Sequence, residues 1–227
     1  MIAVITTKLG LVRTLRGLTP KFGSFDDEQF DELRMERHFA SNPDLEVAEC
    51  RYWIRKMQAR FFAGDYQSAI RASSRAQKLL WTSLTVPESA QYHFYRALTQ
   101  TACCDSAPAG ERQQHIDAVA AHHWQLQLWA ENCPENFEDR AALAGAEIAR
   151  LEGRERDAER LYEKAIRSAR ANGFVHNKAI AYKVAARFYA ARASRSLRVC
   201  ISGMRAMATC VGGPMAKCGK STRWILT

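Results

Sequence analysis

Residues that break helices are scarce in most of this chain. Between Glu46 and Arg192 the sequence contains three prolines and five glycines, and it is rich in Ala, Leu, Arg, Glu and Gln. Apolar residues in this stretch recur at three- and four-residue spacing, which is the period of an amphipathic α-helix. The scarcity of helix breakers and the helical period together predict an all-α fold.

Signatures of catalysis are missing as well. The sequence has no Gly-rich kinase loop, no H-R-D, no D-F-G, no G-x-S-x-G and no H-E-x-x-H, and these motifs carry the working groups of large enzyme classes. His122 and His123 are adjacent, and neighbours on a helix point about 100° apart, so the two rings cannot bind one metal ion together. Cys103 and Cys104 have His115 nearby but no motif that would supply oxyanion donors. We therefore expect no catalytic, cofactor-binding or metal-binding residue, no cofactor and no enzymatic activity.

Two further absences bear on location. The seven cysteines show no C-x-x-C spacing and no His pair that would complete a zinc site, which predicts reduced thiols. The amino terminus has a short apolar start, but it lacks the basic region and the cleavage site of a signal peptide and is too short to span a membrane. The sequence thus predicts a cytoplasmic protein with no membrane span.

Acidic residues are absent from residues 193–227, which hold six of the 33 basic residues. Residues 1–192 hold 27 basic against 24 acidic residues, so they contribute only +3 of the formal net charge of +9. Clustered positive charge is the usual footprint of nucleic-acid binding. Because most of the excess lies in the tail, we expect no specific nucleic-acid partner.

The tail includes the run "GGPMAKCGKST", which looks like a phosphate-binding loop. That motif reads G-x-x-x-x-G-K-[ST], because its glycines let backbone N–H groups surround the phosphates. Five positions before Gly219 stands Pro214, which has no N–H, and Gly213 lies one position too far away. No strand-like run precedes the loop, and only six residues follow Ser221. We therefore expect no nucleotide site here.

Short turns divide the middle of the chain into helices of about a dozen to twenty residues, the lengths expected of helical hairpins. They predict three complete hairpins followed by the first helix of a fourth. The turns fall at residues 63–67, 85–89, 105–111, 132–136, 152–156 and 171–177.

Two of these hairpins can be aligned, because each has a Gly and a polar residue followed by a second helix of similar pattern. This arrangement resembles the tetratricopeptide repeat of about 34 residues, with Trp53 near the aromatic position of the first helix. Ala69 and Ala158 lie 89 residues apart, which is not a multiple of 34, so we expect a degenerate array. The aligned positions are Ala69, Ser73 and Ala76 in one hairpin and Ala158, Tyr162 and Ala165 in the other.

The chain is predicted to have three parts. Residues 1–44 comprise an amino-terminal helix over residues 2–16 and an acidic loop, whose Pro, Gly and acidic residues argue against regular structure. Residues 45–192 form the helical-repeat domain. Residues 193–227 form a disordered basic tail.

Several long stretches resemble one family. They are "LVRTLRGLTPKFGSFDDEQFDE", "FFAGDYQSAI", "WAENCPENFEDRAALAGAEIARLEGR", "DAERLYEKAIRSARANGFVHNKAIAY" and "AARFYAAR". They resemble the helical, tetratricopeptide-like middle region of very large bacterial proteins that join a serine/threonine kinase domain and a STAND-type ATPase module to sensor and histidine-kinase domains. The resemblance covers most of residues 1–192 and includes no catalytic position. It implies a non-catalytic scaffold or protein-interaction segment of a signalling protein.

The tail fits this interpretation if its reading frame is shifted. Read one base earlier, with freely chosen synonymous codons, residues 193–207 can encode "GFEKLARVYLRDARY", which has the pattern of a further repeat helix. We therefore expect a truncated and frameshifted fragment of such a protein. The alternative is a free-standing adaptor that binds a protein or nucleic-acid partner through its groove and its basic tail.

Overall fold

The structure is a computed structural model that describes residues 2–83, 87–105 and 107–211. Within these ranges the regular secondary structure is helical and contains no β-strand, which confirms the all-α prediction. Two short 3₁₀ helices, Pro43–Leu45 and Leu80–Ser83, accompany the α-helices. The α-helices are α1 (Ile2–Leu15), α2 (Glu32–Ala40), α3 (Glu46–Phe62), α4 (Tyr66–Leu79), α5 (Pro87–Cys104), α6 (Ala109–Asn132), α7 (Pro134–Leu151), α8 (Glu155–Ala171) and α9 (Val175–Val211).

The chain forms two compact units, residues 1–182 and residues 183–227. Helix α9 continues to Val211, so residues 193–211 are helical where we expected a disordered tail. This stretch holds several Ala, Arg and Met residues, which are good helix formers, and has no proline to end the helix. The phosphate-loop-like run at 212–222 lies outside the described residues. The features analysed below belong to the first unit.

The predicted turns coincide with the ends of the helices. Two of the helices begin at a proline, whose missing N–H costs nothing in the first turn, and a third begins directly after one. Pro87 and Pro134 are the first residues of α5 and α7, and Pro108 is the residue that caps α6. The resulting hairpins are α3–α4, α5–α6 and α7–α8, and α9 follows as a fourth first helix.

The two aligned hairpins turn in the same way. Gly64 and Gly153 have φ of 76° and 77°, a left-handed conformation that only glycine adopts without steric cost. After each glycine the next N–H bonds to a carbonyl five residues back, from Asp65 to Arg60 and from Arg154 to Ala149. This is the bonding of the Schellman motif, which satisfies carbonyls at the end of the first helix. The glycines noted in the sequence therefore close the turns.

The six aligned positions are all fully buried. Small side chains at five of them allow α4 to approach α3 and α8 to approach α7 closely. The sixth, Tyr162, donates a hydrogen bond from its hydroxyl to Glu147 of α7. Glu147 also accepts a hydrogen bond from Arg150 at 3.0 Å, and Arg150 forms an ion pair with Asp105 at 2.7 Å. The repeat positions thus form the helix–helix contacts, and a buried polar cluster replaces a small residue at one of them.

Helix α2 was not among the predicted helices. We expected the acidic residues after the first helix to lie in a loop, and residues 17–31 are indeed largely irregular. Asp31, however, caps α2 by accepting a hydrogen bond from Arg34 N at 3.0 Å. Glu32 then pairs with Lys56 and Arg60 of α3 at 2.7 and 2.6 Å. The helix is held by partners distant in sequence, and for this reason the local composition did not predict it.

Candidate functional site

The first helices of successive hairpins lie side by side. Helix α3 contacts α5, and α5 contacts α7. Helix α1, which precedes the first hairpin, contacts α3. The second helices alternate with them, since α4 contacts α3 and α5 while α6 contacts α5 and α7. The first helices therefore present a continuous face, which we call the first-helix face.

A cavity of about 190 Å³ opens in this face. Its lining comes only from α1 and from the four first helices, and we call it the first-helix cavity. One part of the wall is apolar and the other is polar. The lining residues are Leu11, Leu15, Gln58, Phe62, Gln91, Phe94, Tyr95, Arg140, His176 and Asn177.

Most polar groups around the cavity have partners. Gln58 donates from Nε2 to Oε1 of Gln91 at 2.7 Å, which joins α3 to α5. Asn177 donates from Nδ2 to Oδ2 of Asp139 at 2.6 Å, which joins α9 to α7. Both Asp139 and Asn177 are 3% exposed, and the other carboxylate oxygen of Asp139 has no hydrogen-bond partner among the described residues. These bonds fix the positions of the helices that form the wall.

Arg140, like the second oxygen of Asp139, is an exception. Its Nε atom is buried and has no hydrogen-bond partner among the described residues. Burial lowers the pKa of Arg140, while the neighbouring charge of Asp139 acts in the opposite direction. The pKa of His176 is lowered by burial and also by the positive charge of Arg140. The cavity therefore presents a guanidinium whose Nε lacks a hydrogen-bond partner and whose charge is opposed by Asp139, beside an imidazole of lowered pKa.

The two adjacent histidines of α6 have separate environments. His122 Nδ1 lies 3.1 Å from Nδ1 of His93 on α5, so one ring donates and the other accepts. His123 lies over Gly145 of α7, where a Cβ atom would come within 2.9 Å of its Nε2. Burial lowers the pKa of His93 to about 4 and that of His122 to about 3, and His93 and Arg96 add to the shift at His122. The structure thus gives each ring a packing role. In the part of the chain that the structure describes, no three His, Cys, Asp or Glu side chains come together as metal ligands.

The cysteine pair does not form a nucleophile with the nearby histidine. His115 Nδ1 lies 2.6 Å from the amide nitrogen of Gln100, and Cys104 donates to the carbonyl of Arg112 at 3.8 Å. Burial raises the pKa of both the Cys103 and the Cys104 thiols. A thiol held protonated in this way is a poor nucleophile.

A second cavity, of about 450 Å³, lies among α6, α7 and α8. His123 and Gly145 line it, and a pair between Glu138 and Lys164 at 3.0 Å stands at its wall. Its ionic groups therefore already have partners within the chain, unlike the Nε atom of Arg140.

Sequence analysis identified none of the residues in the first-helix cavity. They come from five helices spread between residues 11 and 177. Arg140 stands in the run "EDRAALAGA" and carries no motif. Only the stacking of the hairpins brings these side chains together, so the sequence offered no signal for them.

Among the residues described, no helix combines the length and the apolar content needed to cross a bilayer. Comparison with protein-family models, curated proteins and solved structures found no match to this chain.

Proposed function

We propose that this chain is a non-catalytic helical-repeat module that binds a protein segment along its first-helix face. The observation that carries the proposal is the first-helix cavity, which is built by α1 and the four first helices and contains an arginine whose buried Nε lacks a hydrogen-bond partner. A purely structural interior would satisfy such a donor, because a buried N–H without an acceptor is costly.

The build of the face also supports binding. Stacked helical repeats present extended surfaces on which a partner can lie. Here the wall is fixed by cross-helix bonds, from Gln58 to Gln91 and from Asn177 to Asp139. A site that is already ordered loses little conformational entropy when it binds a partner.

The role we propose is that of a scaffold within a bacterial signal-transduction protein that contains kinase and ATPase domains. It rests on the sequence resemblance, and sequencing the flanking DNA tests it. Kinase and ATPase coding upstream with sensor-kinase coding downstream is the expected result, and unrelated genes on both sides would contradict it. The competing proposal is a free-standing adaptor that also uses the basic tail, and loss of partner binding on deletion of residues 193–227 would favour it.

The test of the binding face is selection of peptides from a random display library on the full chain. Enriched peptides are then measured against two variants by fluorescence anisotropy. Leu15→Gln replaces an apolar contact at the rim of the first-helix cavity with an uncharged polar group, at a position that is 43% exposed. Trp124→Gln makes a similar change at an exposed residue of the second helix α6, where Trp124 is 64% exposed.

We expect Leu15→Gln to weaken binding by about tenfold, which corresponds to about 1.4 kcal/mol, and Trp124→Gln to leave it unchanged. Loss of binding with Trp124→Gln alone would place the interaction on the second helices and overturn the proposal. Failure to enrich any peptide would also count against it.

A further inference from the structure

The first-helix cavity has a chemistry that narrows the choice of ligand. We propose that it receives the carboxylate of a single acidic side chain, carried by a protein segment with apolar residues beside the acid. This inference rests on the proposed function and names the chemical class that the same face recognises.

The size of the cavity limits what it can hold. Pockets for ligands of drug or cofactor size occupy about 300–1,000 Å³, and this one has about 190 Å³. A helix, at about 10 Å across, does not enter such a space. One side chain of a segment that lies across the face does.

The charge of the cavity selects an anionic group. The buried Nε of Arg140 has no hydrogen-bond partner among the described residues. The neighbouring acid, Asp139, opposes the charge of Arg140, but one of its oxygens is engaged by Asn177. A carboxylate can accept two parallel N–H bonds from one guanidinium, which is among the strongest hydrogen-bonding arrangements in proteins. Such a group would supply the acceptors that the guanidinium lacks.

The remaining lining fits a peptide better than a free ion. Tyr95 and Gln91 also line the cavity and carry a hydroxyl and an amide. Leu11, Leu15 and Phe62 supply an apolar border, and it would be covered by the side chains next to the acid, with a gain of about 25 cal/mol per Å² buried. A free phosphate would leave this border exposed to water.

The experiment is an NMR titration of the full chain that follows the Nε–H signal of Arg140. The probes are two capped tripeptides, acetyl-Leu-Glu-Leu-amide and acetyl-Leu-Gln-Leu-amide, which differ only in charge at the central side chain. Inorganic phosphate is titrated separately. We expect the Glu peptide to move the signal to saturation and the Gln peptide to bind at least about tenfold more weakly.

Three variants are titrated in the same way. Their peptide binding is followed on the NMR signals of other residues in the cavity, because the Arg140 variants lack the arginine signal. Arg140→Gln is expected to abolish the preference for the Glu peptide, and Arg140→Lys to retain part of it, because an ammonium does not bind a carboxylate in bidentate fashion. Arg167→Gln, at an exposed position of α8, is the matched control and should change nothing. The comparison of the two peptides on the unaltered chain remains decisive if Arg140→Gln does not fold.

Equal affinity for the two peptides would overturn the inference while leaving the proposed binding face intact. Saturation by phosphate with no effect of the Glu peptide would also overturn it, because the site would then recognise a free anion. If neither peptide nor phosphate moves the signal, the inference fails. The proposed function fails separately, when the display library yields no peptide sensitive to Leu15→Gln.

Discussion

The paired imidazoles of His93 and His122 make stability depend on pH in a way that can be calculated. Both rings are neutral in the folded chain, because burial lowers the pKa of His93 to about 4 and that of His122 to about 3. Their Nδ1 atoms lie 3.1 Å apart, so protonating both would bring two N–H groups against each other. In the unfolded chain each ring titrates near its ordinary value of about 6.5.

The sign follows from proton binding. Below about pH 6.5 the unfolded state gains a proton on each ring, whereas the folded state does not until about pH 4, so the free energy of unfolding falls as the pH falls through this window. At pH 5 each ring costs the folded state about 2 kcal/mol relative to pH 7.5. The pair therefore costs about 4 kcal/mol if both folded pKa values lie below 5.

Urea denaturation followed by circular dichroism, at about pH 7.5 and about pH 5, measures this loss. The variant His122→Asn removes one titrating ring and should reduce the loss by about 2 kcal/mol. His38→Asn replaces an exposed histidine of α2 and serves as the control. This variant should lose as much stability between the two pH values as the unaltered chain does. An unaltered chain whose stability is the same at both pH values, or a His122→Asn variant with an undiminished loss, would refute the reasoning.

Three further predictions concern the repeat contacts, and each is checked by the free energy of unfolding in urea. Ala158→Leu overpacks a fully buried position and should lower the free energy of unfolding by about 1–3 kcal/mol. Ala171→Leu, at an exposed position of α8, is the control and should be nearly neutral. Equal effects of the two substitutions would contradict the proposed packing. Gly153→Ala places a Cβ at φ 77° and should cost about 1–2 kcal/mol, while Gly110→Ala in the first turn of α6, with space around it, should cost nothing; a neutral Gly153→Ala would show that the turn does not need glycine. Tyr162→Phe removes the bond to buried Glu147 and should cost about 1.5–3 kcal/mol, and a neutral result would mean that this bond contributes little.

Periodicity and turn residues predicted the helices well where local signals decide the outcome. The hairpin turns contain a glycine or a proline that acts within a few residues of itself, such as Gly64, Gly153 and Pro134. The six aligned positions were also found from sequence, because small residues at a fixed spacing mark a close helix contact. The tetratricopeptide-like nature of the array stays a prediction.

Features that depend on distant partners could not be predicted. Helix α2 is held by pairing of Glu32 with Lys56 and Arg60, which lie more than twenty residues away. The first-helix cavity joins Gln58, Arg140 and other side chains that share no local pattern. Residues 193–211 were expected to be irregular because their sequence departs from the family pattern, yet α9 continues through them without a proline to end it.

The central claim is that the first-helix face is the binding surface of this chain. Photo-crosslinking tests it most directly, with the most strongly enriched library peptide carrying a photoreactive group and the crosslinked residues identified by mass spectrometry. The account predicts crosslinks on α1, α3, α5 and α7 around the first-helix cavity, reduced by Leu15→Gln. Crosslinks confined to α4, α6 and α8 would contradict it.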